Sequence, residues 1–339
     1  MKPTMQDIAK RAGVNISTVS RVLAGKAKSS RIGEETTRRV LSVAEELGYR
    51  PNLSARALRT SKTDTLGLLV TDLANPFFAT ISAACEAEAS SAGYGVMVAT
   101  SGENRSREAH YISLLRSRPV DGLIVTPAGL TPHQELELLL EEGFPLVLMD
   151  RRIDGVSCDS VVVDNRDGAR RLVRELIDMG AVTIAVAGGP VDTWTGAERM
   201  KGFIEGIRDA NLLFSEEMVY IGPYDEETGR RAARSFLERG KKPDAVVAAN
   251  NRILEGVLEI LMARGSDGEN IAVGAFDGVP FTGLMRRPIV IAEQPRREIG
   301  RRAARLLIDR IEGATTCGIR EEVLPVRITR TGESSVSLT

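Results

Sequence analysis

Polar side chains that follow short apolar runs are the first residues of this chain whose types suggest chemistry. Carboxylates, amides and a guanidinium in such places are suited to hydrogen-bonding the hydroxyl groups of a small polar ligand. The candidates are Asp72, Asp150, Asn250, Asp277 and Gln294, together with Arg199 in the first turns of a predicted helix. Each one alone is equally typical of a helix cap or a surface residue, so only their common location favours a binding site.

Catalysis and metal binding have little support in the residue pattern. The 339 residues include two histidines, His110 and His133, and neither has the Cys or Asp pattern of a nucleophilic triad or a metal site. The phosphate-loop pattern G-x-x-x-x-G-K-[ST] and the hydrolase pattern G-x-S-x-G do not occur. We therefore expect no catalytic residue, no metal and no cofactor. The widely spaced Cys85, Cys158 and Cys317 are expected to be reduced and structural.

A second candidate site is a run of short polar side chains near the N-terminus. Ser17, Thr18 and Ser20 carry hydroxyls small enough to approach a phosphate backbone closely. Arg21 can reach the edge of a guanine, and Ile16 favours contact with a thymine methyl group. The run is therefore suited to the major groove of DNA.

Charge is distributed unevenly along the chain, in keeping with this interpretation. Residues 1–62 hold 13 Lys or Arg against 5 Asp or Glu, a net charge of +8, whereas the rest of the chain holds 32 against 41, a net charge of −9. A basic head on an acidic body favours contact with a polyanion. Charge alone would fit a solvated basic tail equally well.

The head also has the pattern of a helix-turn-helix. Thr4 followed by Asp7 is typical of a capping box at the start of a first helix, and Gly13 can end that helix with a positive φ. Asn15 can cap a second helix, which carries the polar run. Two short helices joined by such a turn form a helix-turn-helix. A third helix fits residues 34–47, whose inward-facing residues are expected to be Val40, Leu41, Ala44 and Leu47.

Beyond the head, the sequence alternates apolar runs with helical stretches. Short continuous runs of this kind are typical of buried parallel strands. They lie at 66–70, 94–99, 121–126, 145–150, 183–188, 246–250, 271–276 and 288–292. Two consecutive series predict an α/β body of two doubly wound parallel-sheet subdomains behind the all-α head. Ligands of such sheets bind beyond the carboxyl ends of the strands, which is where the candidate polar residues lie.

The head resembles the start of LacI/GalR-family transcription regulators. The similarity rests on MQDIAKRAGVNISTVSRVLAG at 5–25 and ELGYRPNLSARALRTSKT at 46–63, and the body continues it with DLANPFF, GAERMKGF, AANN and GAFDG. The resemblance implies that the two subdomains are of the periplasmic-binding-protein type. The chain departs from the family at Gly33, where Ser is usual, and at Asn250-Asn251, where Asn-Asp is usual. The second difference removes a carboxylate and puts the usual hinge-side hydrogen bonding in question.

The resemblance implies a sequence-specific transcription regulator, a repressor, that binds double-stranded operator DNA as a homodimer. In the family the segment matching residues 50–62 folds as a hinge helix in the minor groove, with Leu58 as a wedge between base pairs and Ala55 beside it. So short a helix is marginal alone in water, so we expect it to fold only on the operator. The remaining expected DNA contacts are Thr4, Asn15, Ile16, Ser17, Thr18, Ser20, Arg21 and Asn52.

The resemblance also assigns roles in an effector pocket. Arg199, Asn250 and Asp277 would hydrogen-bond the effector from one subdomain, Phe78 and Asp150 would approach from the other, and Gln294 would lie at the crossover. Asp72 belongs to the same set. Trp194 would stack on a sugar face, or it is a partly exposed packing residue. A sugar or sugar derivative is the favoured effector.

The expected domains are a head (1–49), a linker (50–62) and a body (63–339). Within the body, the N-subdomain takes about 63–163 and 293–325 and the C-subdomain about 164–292 and 326–339.

The alternatives to a regulator controlled by a sugar are a regulator controlled by a protein coregulator or by a nucleobase or nucleoside, a solute-binding protein, and last an enzyme with an accessory head. No apolar run could span a membrane and no signal peptide is recognisable, so we expect a cytoplasmic protein. We expect a dimer, since tetrameric relatives carry an extra C-terminal helix.

Overall fold

The computed structural model describes residues 3–23, 25, 27–49, 62–117, 120–240, 242–265, 268, 270–284, 288–314 and 318–331. The chain divides into two compact units, the head (Met1–Thr63) and the body (Asp64–Thr339). The predicted hinge helix with Asn52, Ala55 and Leu58 lies outside the described residues, as does Cys317.

The described part of the head contains the three predicted helices: α1 (Met5–Ala12), α2 (Ile16–Leu23) and α3 (Glu34–Glu46). The predicted capping box is present, because the Thr4 amide donates to Asp7 Oδ2 at 2.8 Å and the Asp7 amide donates to Thr4 Oγ1 at 3.3 Å. Gly13 ends α1 with a φ of 65°, a conformation that a residue without a Cβ adopts easily. The three helices enclose an apolar core of Ile8, Ala9, Ala12, Val19, Val22, Val40, Val43 and Ala44.

One predicted core position in α3 is wrong. Leu41 is 47% exposed, and Val43 is buried instead. Positions 40, 43, 44 and 47 share one helix face, whereas 41 is rotated about 100° from 40. The core therefore follows the helical period rather than the apolar character of each residue.

The described residues of the body form two six-stranded sheets. The first consists of β1 (Thr65–Val70), β2 (Gly95–Thr100), β3 (Gly122–Val125), β4 (Leu146–Met149), β5 (Asp159–Val163) and β11 (Glu321–Leu324). Its order is β11-β5-β4-β3-β1-β2, and every pair is parallel. The helices α4 (Pro76–Ser91), α5 (Arg105–Ser117), α6 (Gln134–Glu141) and α11 (Arg296–Ile311) accompany it.

The second sheet has the corresponding order β12-β10-β9-β8-β6-β7. Its strands are β6 (Ile184–Gly188), β7 (Val219–Ile221), β8 (Ala245–Ala248), β9 (Ala272–Phe276), β10 (Ile289–Glu293) and β12 (Arg327–Arg330). All pairs are parallel except β10 with β12. The helices α7 (Asn165–Asp178), α8 (Trp194–Asp209), α9 (Glu226–Leu237) and α10 (Asn251–Ala263) accompany it.

These sheets confirm the predicted pair of doubly wound subdomains. The sequence pattern missed β5, β7, β11 and β12. Of these, β7, β11 and β12 lie at sheet edges, where short or charged strands lack a continuous apolar run. The chain passes between the sheets after β5, β10 and β11, so three segments join the subdomains. None of the described helices is long and apolar enough to cross a membrane.

Close packing of α8 against α7 positions Arg199, one of the predicted effector-binding residues. At Gly202 of α8 a Cβ atom would lie 2.2 Å from the carbonyl oxygen of Arg166 on α7. Only glycine permits so close an approach. As a result Arg199, one turn earlier on α8, lies against Asn165 at the start of α7.

Candidate functional site

A cavity of about 420 Å³ lies between the two subdomains of the body, at the carboxyl ends of strands from both sheets. Loops from parallel strands meet at such an edge, as the sequence analysis expects. Seven of the eight predicted effector residues line the cavity: Asp72, Phe78, Asp150, Arg199, Asn250, Asp277 and Gln294.

Trp194 does not line this cavity. The guanidinium of Arg152 lies over the Trp194 ring, with Arg152 Cζ 5.8 Å from the ring centroid. Thr195 and Arg199, one turn apart on α8, both line the cavity. Because consecutive helical residues point about 100° apart, a helix that directs these two residues inward directs Trp194 to its flank.

Asp150 is a buried carboxyl group in the cavity. Its side chain is 4% exposed, its Oδ1 has no hydrogen-bond partner among the described residues, and its Oδ2 lies 3.7 Å from Arg151 Nε. Burial raises the pKa of this carboxyl to about 6, although Arg151 and Arg199 oppose the shift. Removal of an ionised group from water is costly unless it is paired, so Asp150 is poised to accept hydrogen bonds from a ligand.

The sequence analysis missed a buried group beside Asp150. Arg151 donates to both carboxylate oxygens of Glu103, at 2.6 and 2.7 Å, and to the carbonyl oxygen of Pro127. Its Cζ lies 5.4 Å from the centroid of the Tyr224 ring, which comes from the other subdomain. The only sequence signal was the position of Arg151 directly after a predicted strand. Its partner Glu103 is 48 residues away.

Arg199 is held by contacts within the C-subdomain. Its Nε donates to Asn165 Oδ1 at 2.7 Å, its Nη1 donates to the Ala249 carbonyl oxygen at 2.6 Å, and its guanidinium stacks 4.0 Å from the Phe276 ring centroid. Burial lowers the pKa of Arg199, while the nearby Tyr224, Asp150 and Asp277 act in the opposite direction. These contacts leave Nη2 available for a ligand.

Asp277 and Gln294 form a second fixed pair. The Gln294 side chain donates from Nε2 to Asp277 Oδ2 at 2.6 Å, and its main-chain amide donates to Asp277 Oδ1 at 3.2 Å. Burial raises the pKa of Asp277, whereas Arg296 and these hydrogen bonds lower it. Asn250 lies nearby as the N-cap of α10 and accepts from the Ile253 amide at 2.8 Å.

A polar seam joins the subdomains at the edge of the cavity. Asn75 and Asn251 exchange two side-chain hydrogen bonds, at 2.9 and 3.3 Å, and both residues are buried. Next to them, Arg252 bridges Asp72 at 3.1 Å and Glu226 at 2.8 Å. The side-chain amide of Asn251 therefore forms its own hydrogen bonds at the position where family members usually carry an Asp. The sequence analysis did not include Asn75 or Arg252.

In the head, α2 carries five of the predicted DNA-contacting residues, and its buried residues are Val19 and Val22. Ile16, Ser17 and Arg21 are exposed, with Ile16 at 44%, whereas Thr18 and Ser20 are partly buried. The exposed Thr4 and Asn15 flank α1 and α2. The helix α2 can enter a major groove.

Sequence comparisons decide the family. Residues 4–52 match the model of bacterial regulatory proteins of the lacI family, and residues 63–331 match that of periplasmic binding proteins and the sugar binding domain of the LacI family. The chain belongs to the LacI family. The LacI-family members most similar to it include the HTH-type transcriptional repressor PurR of Aliivibrio fischeri strain ES114, which is 31% identical over 98% of both chains.

Solved structures of LacI-family proteins agree. The transcriptional regulator CelR in complex with cellobiose is 32% identical, with a TM-score of 0.71 over 97% of this chain and 99% of that one. The lac repressor dimer bound to operator has a TM-score of 0.83 over 98% and 99% of the two chains, at 23% identity, and so shares the fold. As a LacI-family member, this chain is a DNA-binding transcription regulator and not an enzyme.

Proposed function

We propose that this LacI-family regulator acts as a homodimer in the cytoplasm on a pseudo-palindromic operator, and that a small polar effector bound in the body cavity controls it. A sugar or sugar derivative is the favoured effector. The observation that carries this proposal is the convergence of buried Asp150 from one subdomain with Arg199 and Asp277 from the other. Buried polar groups aimed at one cavity are typical of a ligand site.

Control would pass through the relative position of the two subdomains. Groups from both line the cavity, so an effector that bridges them changes how closely they approach. In a dimer, such a change in subdomain position would alter the distance between the linkers (50–62) of the two copies. Hinge helices, with Leu58 as a wedge between base pairs at the operator centre, would form only at one separation.

The exposed edge of the first sheet supports the homodimer. Among the described strands, β2 has β1 as its single neighbour in the sheet, and Val98 on it is 44% exposed. An unpaired edge strand offers backbone hydrogen-bonding groups to which another chain can pair. Two-fold symmetry would also match the symmetry of a palindromic site.

A nucleobase or nucleoside is the second candidate effector. Phe78 lines the cavity and meets Phe77 edge to face at 4.9 Å, so an aromatic face is available for a flat ring.

The test compares two arginines of α8. Wild type, Arg199→Ala and the exposed Arg208→Ala are screened by thermal shift against sugars, nucleobases and nucleosides, because a ligand of the folded state raises the melting temperature. Operator affinity is then measured with and without each hit. Arg199→Ala should bind operator normally but lose the response, whereas Arg208→Ala should keep it. An unchanged response in Arg199→Ala would refute the cavity as the effector site.

A further inference from the structure

A loop of the N-subdomain forms a main-chain hydrogen bond to the C-subdomain outside the cavity. The loop, here called the strap, comprises residues 127–133 between β3 and α6, and none of these described residues lines the cavity. Within it, the Leu130 N–H donates to the carbonyl oxygen of Asp192 at 3.1 Å. Asp192 lies just before α8, whose Thr195 and Arg199 do line the cavity. The strap therefore links the N-subdomain to the helix that carries Arg199.

Two arginines of the N-subdomain hold the strap from either end. Arg105 of α5 donates to Thr131 Oγ1 at 2.7 Å, and to the carbonyl oxygens of Thr131 and Pro132 at 3.0 and 3.2 Å. At the other end, Arg151 donates to the Pro127 carbonyl oxygen at 3.1 Å. The conformation of the strap is thus set by side chains outside it, because loop carbonyl groups need such donors to be satisfied.

A buried pair, Glu108 and His133, completes this support. Glu108 of α5 is 2% exposed, and its Oε2 accepts from the Ala128 N–H at 2.5 Å. Its Oε1 lies 2.9 Å from Nε2 of His133. His133 is also the N-cap of α6, because its Nδ1 accepts from the Leu136 N–H at 3.3 Å.

The donors and acceptors of this pair allow one arrangement. A main-chain N–H can only donate, so Nδ1 of His133 must carry a lone pair. The neutral imidazole then carries its proton on Nε2 and donates it to Glu108, whose two oxygens both accept, as an ionised carboxylate does. Because Ala128 and His133 lie near opposite ends of the strap, the Glu108 carboxylate fixes the distance between those ends.

We propose that Glu108 and His133 are positioning residues for closure of the cleft. They hold the strap so that the Leu130 N–H meets the Asp192 carbonyl group, and through that bond they set the start of α8, with Arg199, relative to the N-subdomain. This inference rests on the proposed function only in that the cavity shaped by the strap is the proposed effector site.

Two variants separate positioning from a purely structural role. Asn is at least as good an N-cap as His, but it is too short to replace the ring between α6 and Glu108, so His133→Asn keeps the cap and loses the pair. Glu108→Gln puts an NH2 group where one of two donors needs an oxygen. Glu137→Gln, an exposed change of the same kind on α6, is the control.

The first measurement is acrylamide quenching of Trp194 in the full chain without effector. Trp194, the single tryptophan, follows Asp192 by two positions. Quenching should rise about twofold in Glu108→Gln and His133→Asn, because fewer molecules keep the link closed, and should not change in Glu137→Gln. Quenching at the wild-type level in both variants would overturn the proposal, even if their melting temperatures fall.

The second measurement tests whether the pair acts through the link. Leu130→Pro removes the N–H donor itself and should raise Trp194 quenching as His133→Asn does, whereas proline at the exposed Leu213 should not. Residues that act through one bond are not additive, so adding His133→Asn to Leu130→Pro should cause no further rise. An additive rise would show that His133 acts elsewhere and would overturn the proposal.

Operator affinity without effector keeps this inference distinct from the proposed regulation. The strap variants and Asn251→Ala, which breaks the pair with Asn75, should shift operator affinity in the same direction, because both loosen the cleft. Raised quenching with unchanged operator affinity in all of them would refute control through the cleft and leave the positioning role intact. Shifts in opposite directions would show that the strap does not act by closing the cleft.

Discussion

Asp150 and Asp277 occupy equivalent positions in the two halves of the body. Each directly follows its strand, β4 or β9, and these are the third strands in the two corresponding sheet orders. Both have left-handed backbone conformations, with φ of 68° and 54°, and both are 4% exposed. Such conformations are uncommon for residues other than glycine and cluster at functional sites. The two aspartates differ in their partners. Asp277 accepts a hydrogen bond from Gln294, whereas Asp150 Oδ1 has no hydrogen-bond partner in the described part of the chain.

Asp150→Asn should stabilise the free protein at neutral pH. Burial raises the pKa of Asp150 from 3.8 to about 6, so the folded state binds the proton more tightly than the unfolded state. The free energy of unfolding therefore falls as the pH rises from about 4 to about 6 and stays lower above that range. Asn lacks this penalty, which is on the order of 3 kcal/mol.

The measurement is thermal unfolding without ligand from pH 5 to pH 8. The melting temperature of Asp150→Asn should exceed that of wild type increasingly up to about pH 7, whereas the exposed Asp154→Asn should follow wild type. Effector binding should be lost in Asp150→Asn. A melting temperature at pH 8 no higher than wild type would contradict the assigned penalty.

Asn251→Ala should loosen the closure of the subdomains. It leaves the buried Asn75 without two hydrogen bonds, and unmet buried groups cost about 1–3 kcal/mol each. The form of the body in which the subdomains are joined at this pair becomes less populated, so effector affinity falls.

Trp194, the single tryptophan, lies under Arg152 of the other subdomain and reports the change. Its acrylamide quenching should rise in Asn251→Ala and not in Met262→Ala, an exposed change on the same helix. Equal quenching in both variants would mean that the seam does not hold the cleft.

Arg21→Lys should reduce specific binding while leaving non-specific binding nearly intact. Lysine keeps the charge but loses the planar pair of donors that reads a guanine edge. The expected loss on operator is about 1–3 kcal/mol, measured by fluorescence anisotropy against scrambled DNA at several salt concentrations. Arg39→Lys, also exposed in the head, serves as the control. Similar losses on both DNAs would place Arg21 on the phosphate backbone.

Leu58→Ala tests the linker, which lies outside the described residues. The wedge would be removed while the head and its charge remain, so scrambled-DNA binding and its salt dependence should hardly change. Operator affinity should fall by roughly a few kcal/mol, the scale of unstacking a base step, and end-labelled fluorescence should show less bending. Parallel losses on operator and scrambled DNA would argue against a hinge mechanism.

Val98→Glu should weaken the proposed dimer. A charge on the apolar edge strand β2 would be buried without a partner if a second copy covers it. Sedimentation equilibrium at micromolar concentration should show at least a tenfold weaker association than wild type, whereas the exposed Val182→Glu should associate normally. Dimers of unchanged stability would exclude β2 from the interface, and a stable wild-type tetramer would contradict the dimer itself.

Local sequence determined much of this protein. The Thr4–Asp7 capping box, the glycine stop at 13 and the helical period of the head depend on residues three or four positions apart. Apolar runs likewise predicted the central strands, because strands buried on both faces need no polar positions. These strands predicted that Asp72, Asp150, Asn250, Asp277 and Gln294 lie at carboxyl ends of strands, since parallel strands bring those ends to one edge of a sheet. Their assignment, together with Arg199, to one pocket came from the family resemblance.

Tertiary structure decided which groups are satisfied and which remain free. Glu103 neutralises Arg151 across 48 residues, and Asn75 pairs with Asn251 across 176. The direction of Trp194 depended on the rotation of α8, which packing against α7 sets. Spacing along a chain cannot encode such pairings, because they depend on how separate elements are oriented when their apolar faces pack. Only after that packing does Asp150 keep a buried oxygen that has no hydrogen-bond partner among the described residues.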